Sequence, residues 1–217
     1  MLNMIIINAI LFFATQFAYT QRGMDLQILL GLHHPFDFDF SWYQYITSMF
    51  MHAGFTHILF NMFGLWMFGH ILENHFGTKR FLIFYLICGL GASLIYQVWV
   101  SIVQVHQLHL FGIDGSFFDL LRQYPPKNYL VGASGAVYGL LMGAALLFPN
   151  TTLGIGFLFI GIPMKIKWMA IIYGAIELWN GWRMSGGDNV AHFAHIGGMI
   201  FGFILVKIYS RSRTNFY

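Results

Sequence analysis

The chain has 217 residues, of which 58% are apolar and only 9% are charged. Soluble domains carry about 25% charged residues, so this composition excludes an ordinary water-soluble fold. The formal net charge is +3, but the basic residues lie at the ends of apolar runs, which argues against a nucleic-acid partner. The single cysteine excludes a disulfide framework. We expect one membrane domain over residues 1–217.

Six apolar segments are candidates for membrane spans, since a crossing helix needs about 20 mostly apolar residues. In chain order they are residues 3–19, 52–72, 81–101, 132–148, 168–183 and 191–209. No basic residue precedes the first segment, so we interpret it as a span and not as a signal peptide. The fourth and fifth are short, glycine-rich or interrupted, which is typical of helices that line a cavity.

Basic residues after the second, fourth and sixth spans orient the protein, because positive loops stay in the cytoplasm. They are Lys79, Arg80, Lys165, Lys167, Lys207, Arg211 and Arg213. The apolar segment 153–162 is too short to cross a hydrocarbon core of about 30 Å, so we interpret it as a cytoplasmic loop. The sequence therefore predicts an all-α membrane protein with six spans and both termini in the cytoplasm.

Three polar residues from different spans share one depth. Counting back from the inner helix ends, Asn61, Ser134 and His195 lie about 18 to 22 Å above the cytoplasmic boundary. A seventh span would carry His195 to the opposite leaflet from Ser134. The predicted topology therefore brings these side chains to one level of the membrane.

Ser134 lies in Gly132-Ala133-Ser134-Gly135 at the start of an apolar helix, where unpaired N–H groups favour negative charge. His195 is an ionisable residue inside a span, and such residues are functional candidates. Each also has a structural interpretation, because small residues and histidines join membrane helices. The pair favours chemistry, since a histidine can remove the proton of a serine hydroxyl.

Glycines would let the fourth and sixth spans approach each other closely. Gly198 and Gly202 lie on the His195 face of the sixth span. The matching surface on the fourth span is offered by Gly135, Gly139 and Gly143.

His57 and Asn61 lie one turn apart on one face of the second span. Both can donate hydrogen bonds, either to an oxyanion or as tethers between helices. Tyr138 follows Ser134 by four residues, so its ring could support the imidazole or simply pack.

Carboxylates are scarce inside the spans. None of the six aspartates lies in one, which excludes an intramembrane aspartyl protease. We assign Glu177 to packing or hydrogen bonding in the fifth span and Asp188 to a loop, which leaves the serine and histidine without a carboxylate partner. His33 and His34 are interpreted as part of an exposed loop rather than a metal site, and no zinc-binding His-Glu-x-x-His motif occurs.

Together, these residues resemble the rhomboid family of intramembrane serine proteases. The resemblance covers most of the chain and rests on three motifs: Gly132-Ala133-Ser134-Gly135, His57-x-x-x-Asn61 and Ala194-His195-x-x-Gly198-x-x-x-Gly202. It implies a six-helix bundle in which Ser134 is the nucleophile, His195 the general base, and His57 and Asn61 oxyanion donors, with no cofactor or metal.

Other positions extend the resemblance or depart from it. Tyr138 matches the tyrosine that packs on the catalytic histidine, and His52 matches a histidine near the outer end of the second span. Many members carry Trp-Arg in the first loop, whereas Trp42 is followed here by Tyr43. The third loop, residues 102–130, is longer than in compact members.

The resemblance implies single-span membrane proteins as substrates, cut within the lipid bilayer. We expect a multi-pass protein of the bacterial inner (plasma) membrane, and the sequence sets no oligomeric state. A small transporter is one alternative, although such a protein would be expected to carry a charge at mid-membrane or an internal repeat. A non-catalytic membrane chaperone is the other, although a pure binder has no need of the Ser134 and His195 pair.

Overall fold

The computed structural model describes residues 1–155, 162–183 and 189–213 and is mostly helical. The helices are α1 (Leu2–Arg22), α2 (Leu26–Leu30), α3 (Gln44–Thr47), α4 (Phe55–Phe76), α5 (Thr78–Leu110), α6 (Phe117–Gln123), α7 (Ser134–Leu147), α8 (Ile166–Trp182) and α9 (Asn189–Arg213). A 3₁₀ turn, Ser48–Phe50, follows α3, and two strands, β1 (Thr152–Ile155) and β2 (Ile162–Lys165), lie between α7 and α8.

Four of these helices are long and apolar enough to cross a membrane: α1, α4, α5 and the His192–Ser210 part of α9. Helix α7 has 14 residues and α8 has 17, so they rise only about 21 and 26 Å. These two correspond to the spans that the sequence predicts to be short. A helix therefore lies at each predicted span, and four of the six meet the length of a full crossing.

The segment 153–162, which the sequence predicts to be a simple loop, begins and ends in paired strands. Strands β1 and β2 pair antiparallel, with Leu153 opposite Met164 and Gly154 opposite Pro163. A segment too short to cross the membrane satisfies its backbone groups by this pairing instead. The prediction of a purely α-helical protein was wrong in this detail; residues 156–161 lie outside the described part.

Helix α5 is longer than the predicted third span, which was placed at residues 81–101. It has 33 residues and continues to Leu110. The extension is held because Val105 and Leu108 form a buried cluster with Leu120 and Leu121 of α6. Part of the predicted third loop is therefore two packed helices.

Helix α7 lies at the centre of the bundle and packs against α4, α5, α8 and α9. Its approach to α9 is backbone on backbone: a Cβ atom at Gly198 would collide with the carbonyl oxygen of Gly135, and one at Gly202 with that of Gly139. Gly143 was expected on the same surface but is not part of it. Its nearest side chains are Phe84 and Leu72, on α5 and α4.

The loop between α2 and α3 is not solvated as the sequence suggested, because His33 and His34 are both buried. A ring nitrogen of His34 lies 2.9 Å from the Ser101 hydroxyl on α5, and the Gln97 amide donates to the His33 carbonyl. Burial lowers the pKa of His34, and the charge of Asp37 partly offsets this. These bonds fix the first loop against α5.

Asp37 joins the first loop to the third. Its buried carboxylate lies 3.1 Å from the ammonium of Lys127, whose side chain is 72% exposed. Burial raises the pKa of Asp37, but the Asp39 N–H and Lys127 together bring it below the ordinary value. The ionised form of Asp37 therefore stabilises the fold.

We predict that Gly198→Val destabilises the protein, because the new side chain meets the backbone of α7. Overpacking of this kind costs about 1–3 kcal/mol. The measurement is thermal unfolding in detergent micelles. Gly54→Val is the matched control, since Gly54 has an extended φ of −175° and no atom within 4 Å of its Cβ position. Equal melting temperatures for the two variants would contradict the close contact between α7 and α9.

We predict that Asp37→Asn lowers the free energy of unfolding by about 1 kcal/mol at neutral pH, at the low end for a charged hydrogen bond because Lys127 is exposed. A carboxyl group whose pKa is lower in the folded than in the unfolded protein stabilises the fold at pH values above the unfolded pKa, near 3.9. This stabilisation is lost as the pH falls through the folded pKa. The difference from wild type should therefore shrink in acid. Asp39→Asn is the control. If the free energy of unfolding had the same pH dependence in both variants, Asp37 would not have the stabilising role assigned to it.

Candidate active site

Ser134 is the first residue of α7, and a glycine with a positive φ precedes it by two positions. Gly132 has a φ of +126°, a backbone conformation that side chains disfavour, and its N–H donates to the Ser48 carbonyl. A Cβ atom here would lie 2.8 Å from two ring atoms of His57. Glycine is therefore needed both for the turn into α7 and for the approach of His57.

The Ser134 Oγ lies 2.7 Å from the His195 Nε2, although the two residues are 61 positions apart. The serine comes from the start of α7 and the histidine from α9, and the glycine contact between these helices brings them together. With Nε2 unprotonated, the hydroxyl donates to it. This is the arrangement in which an imidazole can act as a general base.

Tyr138 lies one turn below Ser134 and packs flat on the imidazole. The Tyr138 and His195 rings are 4.3 Å apart between centroids and only 5° from parallel. The Tyr138 hydroxyl donates a short hydrogen bond to the Glu177 carboxylate. One side chain thus supports the ring of His195 and also contacts a carboxylate on α8.

Glu177 belongs to this cluster, and the expectation that the histidine has no carboxylate beside it was wrong. Glu177 is only 6% exposed. Its Oε2 lies 2.5 Å from the His192 Nδ1 and 3.1 Å from the His195 Nδ1. The second contact has the distance of an ion pair, but its N–H is not aligned for a hydrogen bond, and the His195 Nδ1 has no other partner among the described residues.

A sequence signal for this contact did exist. Glu177 is the only carboxylate well inside a predicted span, and His192 precedes His195 by three residues, which places both histidines on one helical face. What the sequence could not show is that α8 turns this carboxylate toward α9. Asp188, the other carboxylate considered there, lies outside the described residues.

His57 and Asn61 lie on α4 and face the same space as Ser134. The His57 Nδ1 accepts a hydrogen bond from the Ala53 N–H at 3.3 Å, so its Nε2 carries the proton and can donate. The amide nitrogen of Asn61 is buried and has no acceptor among the residues that the structure describes. Two hydrogen-bond donors are therefore available beside Ser134.

His52 lies behind this pair and not in the space itself. It is buried, precedes α4 and packs edge-on against His57, with ring centroids 5.1 Å apart. It does not line the cavity that holds Ser134. His52, which the family resemblance singles out, therefore contacts the site only through His57, whereas His57 and Asn61 line the cavity.

The cavity has a volume of about 810 Å³ and is lined by the side chains of Ser134, His195, His57 and Asn61. Helices α4, α7 and α8 supply most of the remaining wall, which is largely apolar. These residues include Phe60, Phe63, Met67, Phe68, Val137, Leu141, Met169 and Tyr173. An apolar cavity with a few convergent polar groups is the usual form of a binding site.

Two groups of side chains within the described residues could hold a metal ion: Glu177 with His192 and His195, and His33 with Asp37 and Asp39. In the first group, the His192 and Glu177 atoms are 2.5 Å apart. Two zinc ligands at about 2.0–2.1 Å in a tetrahedral site lie about 3.3 Å from each other. The 2.5 Å separation of the Glu177 and His192 atoms is therefore that of a hydrogen bond.

Comparison with known proteins finds several rhomboid proteins among the relatives of this chain. Rhomboid-like protein 11, chloroplastic, of Arabidopsis thaliana is 28% identical over 95% of this chain and 64% of its own length. Rhomboid protease AarA of Providencia stuartii is 26% identical over 96% of this chain and 71% of its own. Rhomboid protease GluP of Bacillus subtilis is 31% identical over 75% of this chain, but over only 25% of GluP.

The chain thus spans less than two thirds of the length of the chloroplast relative and a quarter of GluP. Residues 39–212 match the Rhomboid domain, and this range includes α4 to α8 and all but the last residue of α9, with Ser134 and His195. The chain belongs to the rhomboid family.

Proposed function

We propose that this protein is a serine endopeptidase that hydrolyses transmembrane segments of membrane proteins, with Ser134 as nucleophile and His195 as general base. The observation that carries the proposal is the 2.7 Å contact between the Ser134 Oγ and the His195 Nε2. Family membership does not decide the activity, since some rhomboid-like proteins are inactive. If Ser134 and His195 only joined two helices, neither the unpaired Asn61 amide nor a cavity beside the serine would be needed.

The reaction follows from the positions of the side chains. As the Ser134 Oγ attacks a peptide carbonyl, the His195 Nε2 takes the hydroxyl proton. The Asn61 amide and the His57 Nε2 donate to the oxyanion that develops, and His195 then protonates the leaving amine. Water, activated by the same histidine, hydrolyses the acyl ester on Ser134. No cofactor is required for these steps.

The surroundings of the site support a membrane-embedded substrate. The cavity wall is mostly apolar and includes α4, which is long and apolar enough to cross a membrane. It therefore offers an unwound transmembrane segment both apolar contacts and a hydrolytic centre. We propose that α7 and α8 complete a six-helix membrane unit over residues 1–217, with both termini in the cytoplasm. The bacterial inner membrane stays a proposal, because the relatives come from bacteria and from a plant.

A serine-directed fluorophosphonate should label the purified protein, because His195 activates Ser134 toward phosphorus as it does toward a carbonyl. We expect no labelling in Ser134→Ala or His195→Ala. Ser210→Ala is the control and should label as wild type does, since the Ser210 hydroxyl bonds to its own helix at the Val206 carbonyl. Equal labelling of wild type and Ser134→Ala would show that Ser134 is not the nucleophile.

Asn61→Ala should lower turnover of a model transmembrane substrate about 10²–10³-fold, the usual cost of one oxyanion donor, with KM little changed. His57→Ala should behave similarly, and the double variant should lose less than the product of the two effects. The control is Asn8→Ala, a buried amide that bonds to Met4 on α1. Unchanged turnover in Asn61→Ala would make Asn61 a helix tether.

A further inference from the structure

The Glu177 carboxylate is surrounded by three side chains that can donate hydrogen bonds. Its Oε1 accepts from Tyr138, and its Oε2 faces the Nδ1 atoms of His192 and His195. Since Glu177 is 6% exposed, its charge has little water around it. A buried carboxylate is costly unless such partners compensate for the lost hydration.

We propose that Glu177 is a positioning residue for His195, so that the site works as a Ser134–His195–Glu177 triad. This inference rests on the proposed protease activity. The sequence alone led to a serine–histidine pair without a carboxylate, and the geometry adds the third member. Glu177 would act through the histidine and would not touch the substrate.

The first effect is on the position of the imidazole proton. A proton on the His195 Nδ1 faces the carboxylate at 3.1 Å, whereas a bare Nδ1 would set its lone pair against negative charge. The carboxylate therefore favours the tautomer with the proton on Nδ1. That tautomer leaves Nε2 unprotonated and able to accept the Ser134 proton at 2.7 Å.

The second effect develops during the reaction. When His195 takes the serine proton it becomes a cation, and its Nδ1 then lies at ion-pair distance from a carboxylate in a poorly hydrated site. Hydrogen bonds that are poorly aligned in a free enzyme commonly tighten in the substrate complex. The misaligned N–H of the free protein therefore does not rule out a contact that strengthens as charge appears.

Tyr138 and His192 hold the carboxylate in place. Tyr138 stacks on the imidazole and bonds to the Oε1, so the ring and the carboxylate share one support. His192 fixes the Oε2 from the same helix that carries His195. Two of the three contacts thus set the orientation of Glu177, and the third transmits it to His195.

A purely structural role is the competing interpretation, since Glu177 also links α8 to α7 and α9. The two roles differ in what they change. A structural contact alters the fraction of folded protein, whereas a positioning residue alters turnover of the folded enzyme with little change in KM.

The experiment compares Glu177→Gln, which keeps the size and removes the charge, with Glu177→Asp, which keeps the charge. Kinetics are measured on a model transmembrane substrate, together with thermal unfolding. We expect kcat of the folded Glu177→Gln enzyme to fall about 10²–10⁴-fold with KM within about threefold, as for loss of a triad carboxylate, and Glu177→Asp to recover part of it. A kcat within threefold of wild type per folded molecule would overturn the proposal.

Ser134→Ala separates this inference from the proposed function. If Ser134→Ala is inactive and Glu177→Gln is as active as wild type, the protease activity stands and only the triad fails. If Ser134→Ala still cleaves, the proposed function itself fails.

A measurement on the wild-type protein covers the case in which the Glu177 variants do not fold. Nitrogen NMR of protein labelled with ¹⁵N-histidine reports which ring nitrogen carries the proton, and His195→Ala identifies the signal. We expect the neutral His195 ring to be protonated on Nδ1. A ring protonated on Nε2 would overturn the proposal.

Discussion

The contact between α7 and α9 is the constraint on which the rest of the site depends. Because Gly198 and Gly202 lack side chains, α9 lies directly against the Gly135 and Gly139 carbonyls of α7. A hydrogen bond from serine to histidine tolerates little displacement, and about 1 Å can cost on the order of 10²-fold in rate. The 2.7 Å contact between Ser134 and His195 is therefore a property of helix packing as much as of residue identity.

The polar groups around this contact divide between two sides. On the α4 side, Asn61 and His57 offer donors toward the cavity, and the Asn61 amide has no acceptor among the described residues. On the α8 side, Glu177 offers a negative charge toward the imidazole. An oxyanion and an imidazolium form together in acyl transfer, so the two sides would match the two charges that the proposed reaction separates.

The sequence predicted much of this arrangement and failed at identifiable places. The length and apolar composition of the segments located a helix at each of the six spans, and the glycine spacing predicted the face of α9 that meets α7. It placed His33 and His34 in solvent, whereas both are buried, because loop residues carry no periodicity that reports burial. It ended the third span at residue 101 and placed a loop after it, although packing of Val105 and Leu108 on α6 keeps that part helical.

By itself, the sequence determined that the chain is a multi-pass membrane protein, since hydropathy is a local property of the residues. It also determined the nucleophile and base that we propose, because few polar residues are tolerated inside spans and Ser134 and His195 share a depth. Only the tertiary structure decided that Glu177 lies beside His195. Whether Glu177 meets the imidazole depends on the rotation of α8 against α9, and that rotation is set by side-chain packing between helices, which no spacing within a single helix records.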